Sequence, residues 1–358
     1  MRQSLSARAR AIAAPTYEDF PLPPGAVDLR GDHAPSPVAG LLAEAWRSSA
    51  ARTHELVTYS DPQGSLSLRE EIAGRFSVKP DAVLVTAGAS EAIMIALLLV
   101  ADAGGRIALS RPGFPAYEQL ARCIGLEVVS YDPAVPAAIQ VGGLPSPPSA
   151  IVTVSPHNPT GFALEEAPGD GAARERPWSV RDISHAPEPL LGAGDWTDQE
   201  HDMLIFSFSK GLRIPALRVG CLIARDLETM RAATALKTHL SMAVSIPVQR
   251  FLLTLLRDPE LPNLIRSQQQ LYARNRLVIT DAIRAANSLS LVGGEAGTHL
   301  VVRGRDREGE VALWSRLGHA GIGGLPGSVF AAPYACVRLS YGQTAADIDR
   351  SGTRIASL

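Results

Sequence analysis

The chain holds 358 residues, 46% of them hydrophobic and 20% charged, the composition of a soluble globular enzyme with a large core and room for two domains. A formal net charge of −2 and a pI near 6.5 give no electrostatic case for nucleic acid or an anionic membrane as partner. Cys123, Cys221 and Cys336 lie far apart, which suits buried thiols in a reducing compartment and argues against a disulfide framework or a metal knot. The longest apolar run, Ala92 to Ala101, is far short of the roughly 20 residues that span a bilayer. The start, Met1 to Pro15, carries arginines but no apolar segment of a secretory signal. A cytoplasmic, soluble, metal-free protein is expected.

Residues 1 to about 26, rich in Ala, Arg and Pro, read as a terminal arm. A short strand at Val27 breaks at Gly31, and Ser36-Pro37 opens a helix over Val38 to Trp46, with serine as N-cap and proline in the first helical position. Thr58 to Gly64 is turn chemistry, and Ser67 to Arg75 a helix. From Val83 the pattern alternates. Strands are expected at Val83–Thr86, Ile107–Ser110, Glu127–Tyr131, Ile151–Val154, Trp178–Arg181, Met203–Phe206 and Cys221–Ala224, with helices at Glu91–Val100 and Tyr117–Ile124. Strands separated by helices imply a parallel sheet covered on both faces. Segments 142–148 and 167–177 are rich in Pro and Gly and read as irregular. Beyond residue 250 come long amphipathic helices, Gln249–Arg257 and Leu264–Asn287, then strands at His299–Val302 and Cys336–Leu339. The expected fold class is α/β, a mostly parallel central sheet with flanking helices plus a smaller α+β C-terminal domain. The expected divisions are 1–45 (arm and part of the small domain), 46–250 (large domain) and 251–358 (small domain).

The chemistry centres on Ser207-Phe208-Ser209-Lys210, which follows a buried strand, with Arg218 eight residues beyond the lysine. A strand-end lysine can form a Schiff base with a carbonyl, and hydroxyls beside an arginine suit a phosphate. Gly88-Ala89-Ser90, between a strand and a helix, offers backbone N–H groups to an anion. Asn158, in Ser155 to Gly161, stands at another strand end. Asp182 closes the Trp178 strand, where a carboxylate binds a ring nitrogen or caps a helix. Phe114 can stack on a flat ring or pack in the core. Arg338, inside an apolar strand, needs an anionic partner such as a carboxylate.

In this order the stretches resemble the class I/II aminotransferases, fold-type I enzymes dependent on pyridoxal 5′-phosphate. The likeness runs from about Val27 to Gly342 and is carried by Tyr59-x-x-Pro62-x-Gly64, the Gly88 turn, Asn158-Pro159-Thr160-Gly161, Ser207-x-Ser209-Lys210, Arg218 and Arg338. The resemblance implies that Lys210 holds the cofactor as a Schiff base and then carries the proton at the substrate Cα. It implies that Asp182 pairs with the pyridinium nitrogen, Asn158 bonds the ring oxygen and Phe114 stacks on the ring. Ala89, Ser90, Ser207, Ser209 and Arg218 would hold the phosphate, with Tyr59 arriving from the second subunit of a homodimer. Arg338 would take the substrate carboxylate, aided by Asn158 and the backbone near Gly31.

Two departures stand out. The family's tyrosine three residues after the aspartate is His185 here, which can donate the same hydrogen bond or serve as acid or base. Only 24 positions (182 − 158) separate Asn158 from Asp182, with no clear helix between them. His33 reads as a turn residue, and the side-chain-reading loops fall around Arg30 to His33, Tyr117 and Arg213-Ile214. The implied function is transamination between an L-amino acid and a 2-oxo acid, in specialised biosynthesis. The alternative is a lyase, cyclase, decarboxylase or oxidase on the same fold. A non-enzymatic sensor would need a DNA-binding module and a basic patch, which the sequence lacks.

Overall fold

The computed structural model describes residues 12, 17–50, 57–102, 104–135, 137–141, 144, 146–163, 176–192, 201–306 and 308–358. Most of the expected arm, the irregular segment 167–177 up to residue 175, and half of the short connection between Asn158 and Asp182 lie outside the described residues.

The strands are β1 Val27–Asp28, β2 Val83–Thr86, β3 Arg106–Ser110, β4 Glu127–Tyr131, β5 Ala150–Val154, β6 Trp178–Asp182 and β7 Met203–Ser207. They continue as β8 Gly220–Ala224, β9 Leu289–Val292, β10 His299–Gly304, β11 Ile322–Gly323, β12 Leu325–Pro326 and β13 Val337–Ser340. The central sheet has the order β2-β8-β7-β6-β5-β3-β4. Pairs from β7 through β4 are parallel, whereas β8 runs antiparallel to both β7 and β2. This corrects the expectation that the Cys221 strand joins in parallel. A parallel return needs a crossover of a dozen or more residues, usually a helix. Between β7 and β8 the chain has only the short helix Phe208–Gly211 and a 3-10 turn at Pro215–Leu217.

Every residue of β2, β7 and β8 is buried, which explains their near-continuous apolar sequences. Successive side chains serve opposite faces. Leu204, Phe206, Cys221 and Ile223 pack with Phe76 and Leu252, while Ile205 and Leu222 pack with Leu97 and Met230. The Phe76 and Phe206 rings meet edge to face at 5.5 Å. The helix Leu227–Leu240, unforeseen in the sequence, covers the second face and is capped by Asp226, whose carboxylate accepts from Thr229 N–H at 2.7 Å.

The expected helix at Val38 begins later, as a 3-10 turn Ala39–Leu41 running into a helix Leu42–Ala50. Ser36 Oγ accepts weakly from Val38 N–H at 3.3 Å and donates to the Leu212 carbonyl at 2.6 Å, and Gly40 further weakens the first turn. The helix Leu261–Ala285 starts three residues early on Pro262, which is at home in a first turn. A smaller sheet, β12-β13-β10-β9, is antiparallel throughout, and β1 pairs with β11 beside it. Among the described residues no helix is long and apolar enough to cross a membrane, and no cluster of His, Cys, Asp or Glu could hold a metal.

Candidate active site

The parallel strands of the large sheet all point one way, so Thr86, Ser110, Val154, Asp182 and Ser207 end on one edge. Because β8 runs backwards, its beginning lies on that same edge and carries Arg218 there. Gly88 takes φ +80, and a Cβ on it would come within 2.7 Å of Arg218 Nη2. A Cβ on Gly220 would meet the Phe206 carbonyl at 2.6 Å and Ala89 N at 2.9 Å. Both positions therefore require glycine, and their bare backbones bring the guanidinium against the N-terminus of the helix Ala89–Val100. Ser207 Oγ caps the short lysine helix by accepting from Ser209 N–H at 3.3 Å, while Ser209 Oγ is buried with no partner among the described residues. Backbone N–H groups, a positive helix end, an arginine and an unspent hydroxyl make an anion cradle.

Lys210 lies in the short helix Phe208–Gly211, one turn past the end of β7 and not on the strand itself. Its side chain reaches solvent in a cavity of about 1040 Å³ while protein surrounds it on most sides. Burial lowers its ammonium below the ordinary lysine range; Arg338 and Arg213 add to this, and Asp32 and Asp182 oppose it. Asp182 is buried behind the cavity. Burial pushes its carboxyl up, against hydrogen bonds from Ser184 N–H at 2.7 Å and from the Tyr117 hydroxyl at 2.5 Å. Arg338, on β13, donates from Nη1 to Asn158 Oδ1 at 3.0 Å and from Nη2 to the Arg30 carbonyl, with Phe330 beneath it at 4.7 Å. The small sheet thus delivers an arginine to a turn of the large one. His157 anchors that turn, its ring nitrogens 2.7 Å from Thr160 Oγ1 and 3.0 Å from Ser110 Oγ. Burial pushes the His157 imidazole down to about 3, so it is neutral.

Of the residues singled out in the sequence, Gly31, Ser90, Phe114, Asn158, Ser209, Lys210 and Arg338 line the cavity together. Asp182, His185, Ala89, Ser207 and Arg218 stand behind or beside this wall. Tyr59 does not join it and is 86% exposed. His185 is half-buried, and burial together with Lys210 pushes its imidazole down to about 3. It meets His299 edge to face, with ring centroids 5.2 Å apart. His299 also lines the cavity and is neutral for the same reason, burial first and Arg338 next. His33, read as a turn residue, lies 3.3 Å from Asp28 Oδ2 and also lines the cavity. Asp32 and Tyr117 fall in the loops expected to read the substrate side chain, without a role of their own, and His299 carries no expected role. Asp32 directly follows Gly31, and Tyr117 stands one helical turn from Phe114, so adjacency was the available signal for both. His299 sits in a strand-like run that carries no such clue.

A sequence profile described as Aminotransferase class I and II matches residues 25–168 and 171–355. The chain belongs to the class I and II aminotransferases. A valine–pyruvate aminotransferase of Mycobacterium tuberculosis is 27% identical over 92% of this chain and 91% of its own. Among solved structures, an aminotransferase from Mycobacterium tuberculosis superposes with a TM-score of 0.82 at 24% identity, covering 99% of both chains. The Thermus thermophilus aspartate aminotransferase with maleate gives 0.81 at 21%, covering 99% of this chain and 100% of that one. This aminotransferase is therefore a fold-type I enzyme that transfers nitrogenous groups, from a family that works with pyridoxal phosphate. Its residues fit that group: the Gly88 cradle and the Ser209 hydroxyl, buried without a partner among the described residues, suit the phosphate, and the buried Asp182 suits a protonated ring nitrogen.

Proposed function

We infer that this aminotransferase binds pyridoxal 5′-phosphate through Lys210 and moves the amino group of an L-amino acid to a 2-oxo acid. The observation that carries the reading is the meeting, in one cavity, of a lysine with a lowered ammonium pKa and an arginine held in place by Asn158. When bound, the cofactor supplies an aldehyde for the lysine and a ring that accepts electrons from the substrate Cα.

The protein's own groups do the rest. Lys210 is the covalent anchor, and its lowered pKa raises the neutral, nucleophilic fraction. Once freed by substrate, its amine would take the proton from the substrate Cα and carry it to the cofactor carbon on the other side of the substrate nitrogen. Asp182 keeps the ring nitrogen protonated, and Tyr117 and Ser184 keep Asp182 aimed. Asn158 and neutral His185 hold the ring oxygen, and Phe114 covers the ring face. Ala89, Ser90, Ser207, Ser209 and Arg218 hold the phosphate. Arg338, with Gly31 beside it, takes the substrate carboxylate as a bidentate pair. Exposed Tyr59 completes the phosphate site of a second subunit, so the working form is a homodimer. Free thiols at Cys123, Cys221 and Cys336 support a reducing, cytoplasmic compartment. The relative named for valine and pyruvate supports an amino acid and a 2-oxo acid as the substrate pair.

A second reading, in which the reaction is diverted to elimination, cyclisation, decarboxylation or oxidation in specialised biosynthesis, draws on the His185–His299 pair. Two neutral imidazoles beside the lysine offer hydrogen bonds, and at most weak proton acceptance, to a diverted reaction. Mixing the holoenzyme with single amino acids separates the readings. Conversion to the pyridoxamine spectrum without added oxo acid supports transamination. Oxygen uptake, carbon dioxide release or loss of a side-chain substituent contradicts it.

A further inference from the structure

We propose that Asp32 is a specificity-determining residue: by holding Arg213 as an internal counter-ion it restricts this enzyme to amino acids with uncharged side chains. The inference rests on the transamination reading above and names the substrate class of that same cavity.

Charge accounting carries it. The groups around the cavity are Lys210, Arg213, Arg218 and Arg338 on the positive side, and Asp32 and Asp182 on the negative. Under the proposed function Arg218 faces the phosphate, Arg338 the substrate carboxylate and Asp182 the ring nitrogen, while Lys210 is the anchor. Asp32 and Arg213 remain, and they face each other, with Asp32 Oδ2 3.9 Å from Arg213 Nη1. Among the described residues that line the cavity or stand behind it, no charge is left over for a substrate side chain.

Both partners are fixed. Arg213 is 8% exposed, donates from Nε to the Ala34 carbonyl at 2.6 Å and from Nη1 to the Tyr272 hydroxyl at 3.1 Å. Its backbone sits at φ +53, an arrangement that arginine keeps only where its surroundings hold it. Asp32 accepts from Ser340 Oγ at 2.5 Å, and a Cβ on Gly342 would come within 2.6 Å of Asp32 Oδ1, so glycine there makes room for the carboxylate. His299 Nε2 lies 3.8 Å from Asp32 Oδ1 and is neutral. Despite its burial, the Asp32 carboxyl lies well below the usual carboxylate range, with the Ser340 hydroxyl bond and the Lys210 charge among the groups that lower it, and it is ionised. A substrate carboxylate reaching Arg213 would therefore meet Asp32 beside it. A cationic side chain would meet Arg213. Apart from His33 and Gln119 the remaining wall is apolar, with Phe20, Leu120, Leu325 and Phe330.

The test compares kcat/KM for L-leucine, L-valine, L-glutamate and L-lysine in holoenzyme of wild type, Asp32→Asn and Asp32→Asn/Arg213→Met. Wild type is expected to favour leucine or valine over glutamate and lysine by about 100-fold, and Asp32→Asn to raise glutamate relative to leucine by about tenfold or more, as a freed arginine gains a carboxylate partner. The double variant should lose that gain. A wild type that uses glutamate as readily as leucine overturns the inference, and this holds even if Asp32→Asn does not fold. So does an Asp32→Asn enzyme with an unchanged ratio. A wild-type holoenzyme that converts none of the four takes down the transamination reading itself, and this inference with it.

Discussion

Tyr117 and Asp182, 65 residues apart in the chain, are joined by a 2.5 Å hydrogen bond from the phenol to the buried carboxylate. The bond opposes the burial that pushes Asp182 toward its neutral form. Tyr117→Phe should therefore raise the Asp182 pKa further and weaken its hold on a protonated ring nitrogen. A hydrogen bond to a charged group contributes about 1.5–3 kcal/mol, so single-turnover rates with an amino acid should fall about tenfold or more. The loss should grow as pH falls, because a carboxyl with a raised pKa is protonated sooner. A rate loss that is independent of pH would contradict this role.

Gly88→Ala places a methyl 2.7 Å from the Arg218 guanidinium at a backbone angle of φ +80. Arg218 must shift, and the anion cradle opens. Equilibrium dialysis should give a cofactor Kd raised about tenfold or more, since a phosphate partner is displaced. An unchanged Kd would mean that the phosphate does not sit at this turn.

Beneath the same turn, Lys237, wholly buried, donates to Glu91 at 2.8 Å, and Glu91 accepts from Ala87 N–H at 2.6 Å. Burial disfavours the Glu91 charge, but Lys237, Ser241 and the Ala87 N–H outweigh it and hold its carboxyl below the ordinary 4.5. Lys237→Met leaves that partly buried carboxylate without its cation, and stability in urea should fall by about 1–3 kcal/mol. Lys237→Met/Glu91→Gln should recover part of it. A depressed carboxyl stabilises the fold above its unfolded pKa, so this contribution is present at neutral pH and lost on acidification below about 4.5. The double variant should lose less stability than wild type between pH 7 and pH 4.

Much of this was legible in the sequence for physical reasons that can be named. Met203-Leu204-Ile205-Phe206 announces a strand buried on both faces, and its end locates Lys210. The reversal of β8 was less legible, because the pattern of Cys221–Ala224 is the same for either direction. Only the short connection before it decides. Gly88, Asn158 and Asp182 could be picked out because each follows or closes an expected strand, and Arg338 because it breaks an apolar run. Asp32 and Arg213 could not be assigned, since their meaning lies in facing one another across 181 positions (213 − 32). His185 was noticed as an exception, but its partner His299 comes from a strand of the other sheet.

Arg338→Lys keeps the charge but loses the planar fork that matches a carboxylate. Asn158 and the Arg30 carbonyl would also lose their fixed donors. KM for the amino acid should rise about 10- to 100-fold while the cofactor spectrum stays that of wild type. A variant with wild-type KM would move the carboxylate site elsewhere.

Lysine chemistry gives the most direct measurement of the central claim. The chain has three lysines, Lys79, Lys210 and Lys237. Lys79 is exposed, and Lys237 is wholly buried and ion-paired. Protein incubated with pyridoxal phosphate, reduced with borohydride, digested and mass-analysed should carry the phosphopyridoxyl group stoichiometrically on Lys210, with the visible absorbance bleached. Lys210→Ala should carry none. Wild type that stays unlabelled at Lys210, or is labelled only at exposed Lys79, would contradict the account.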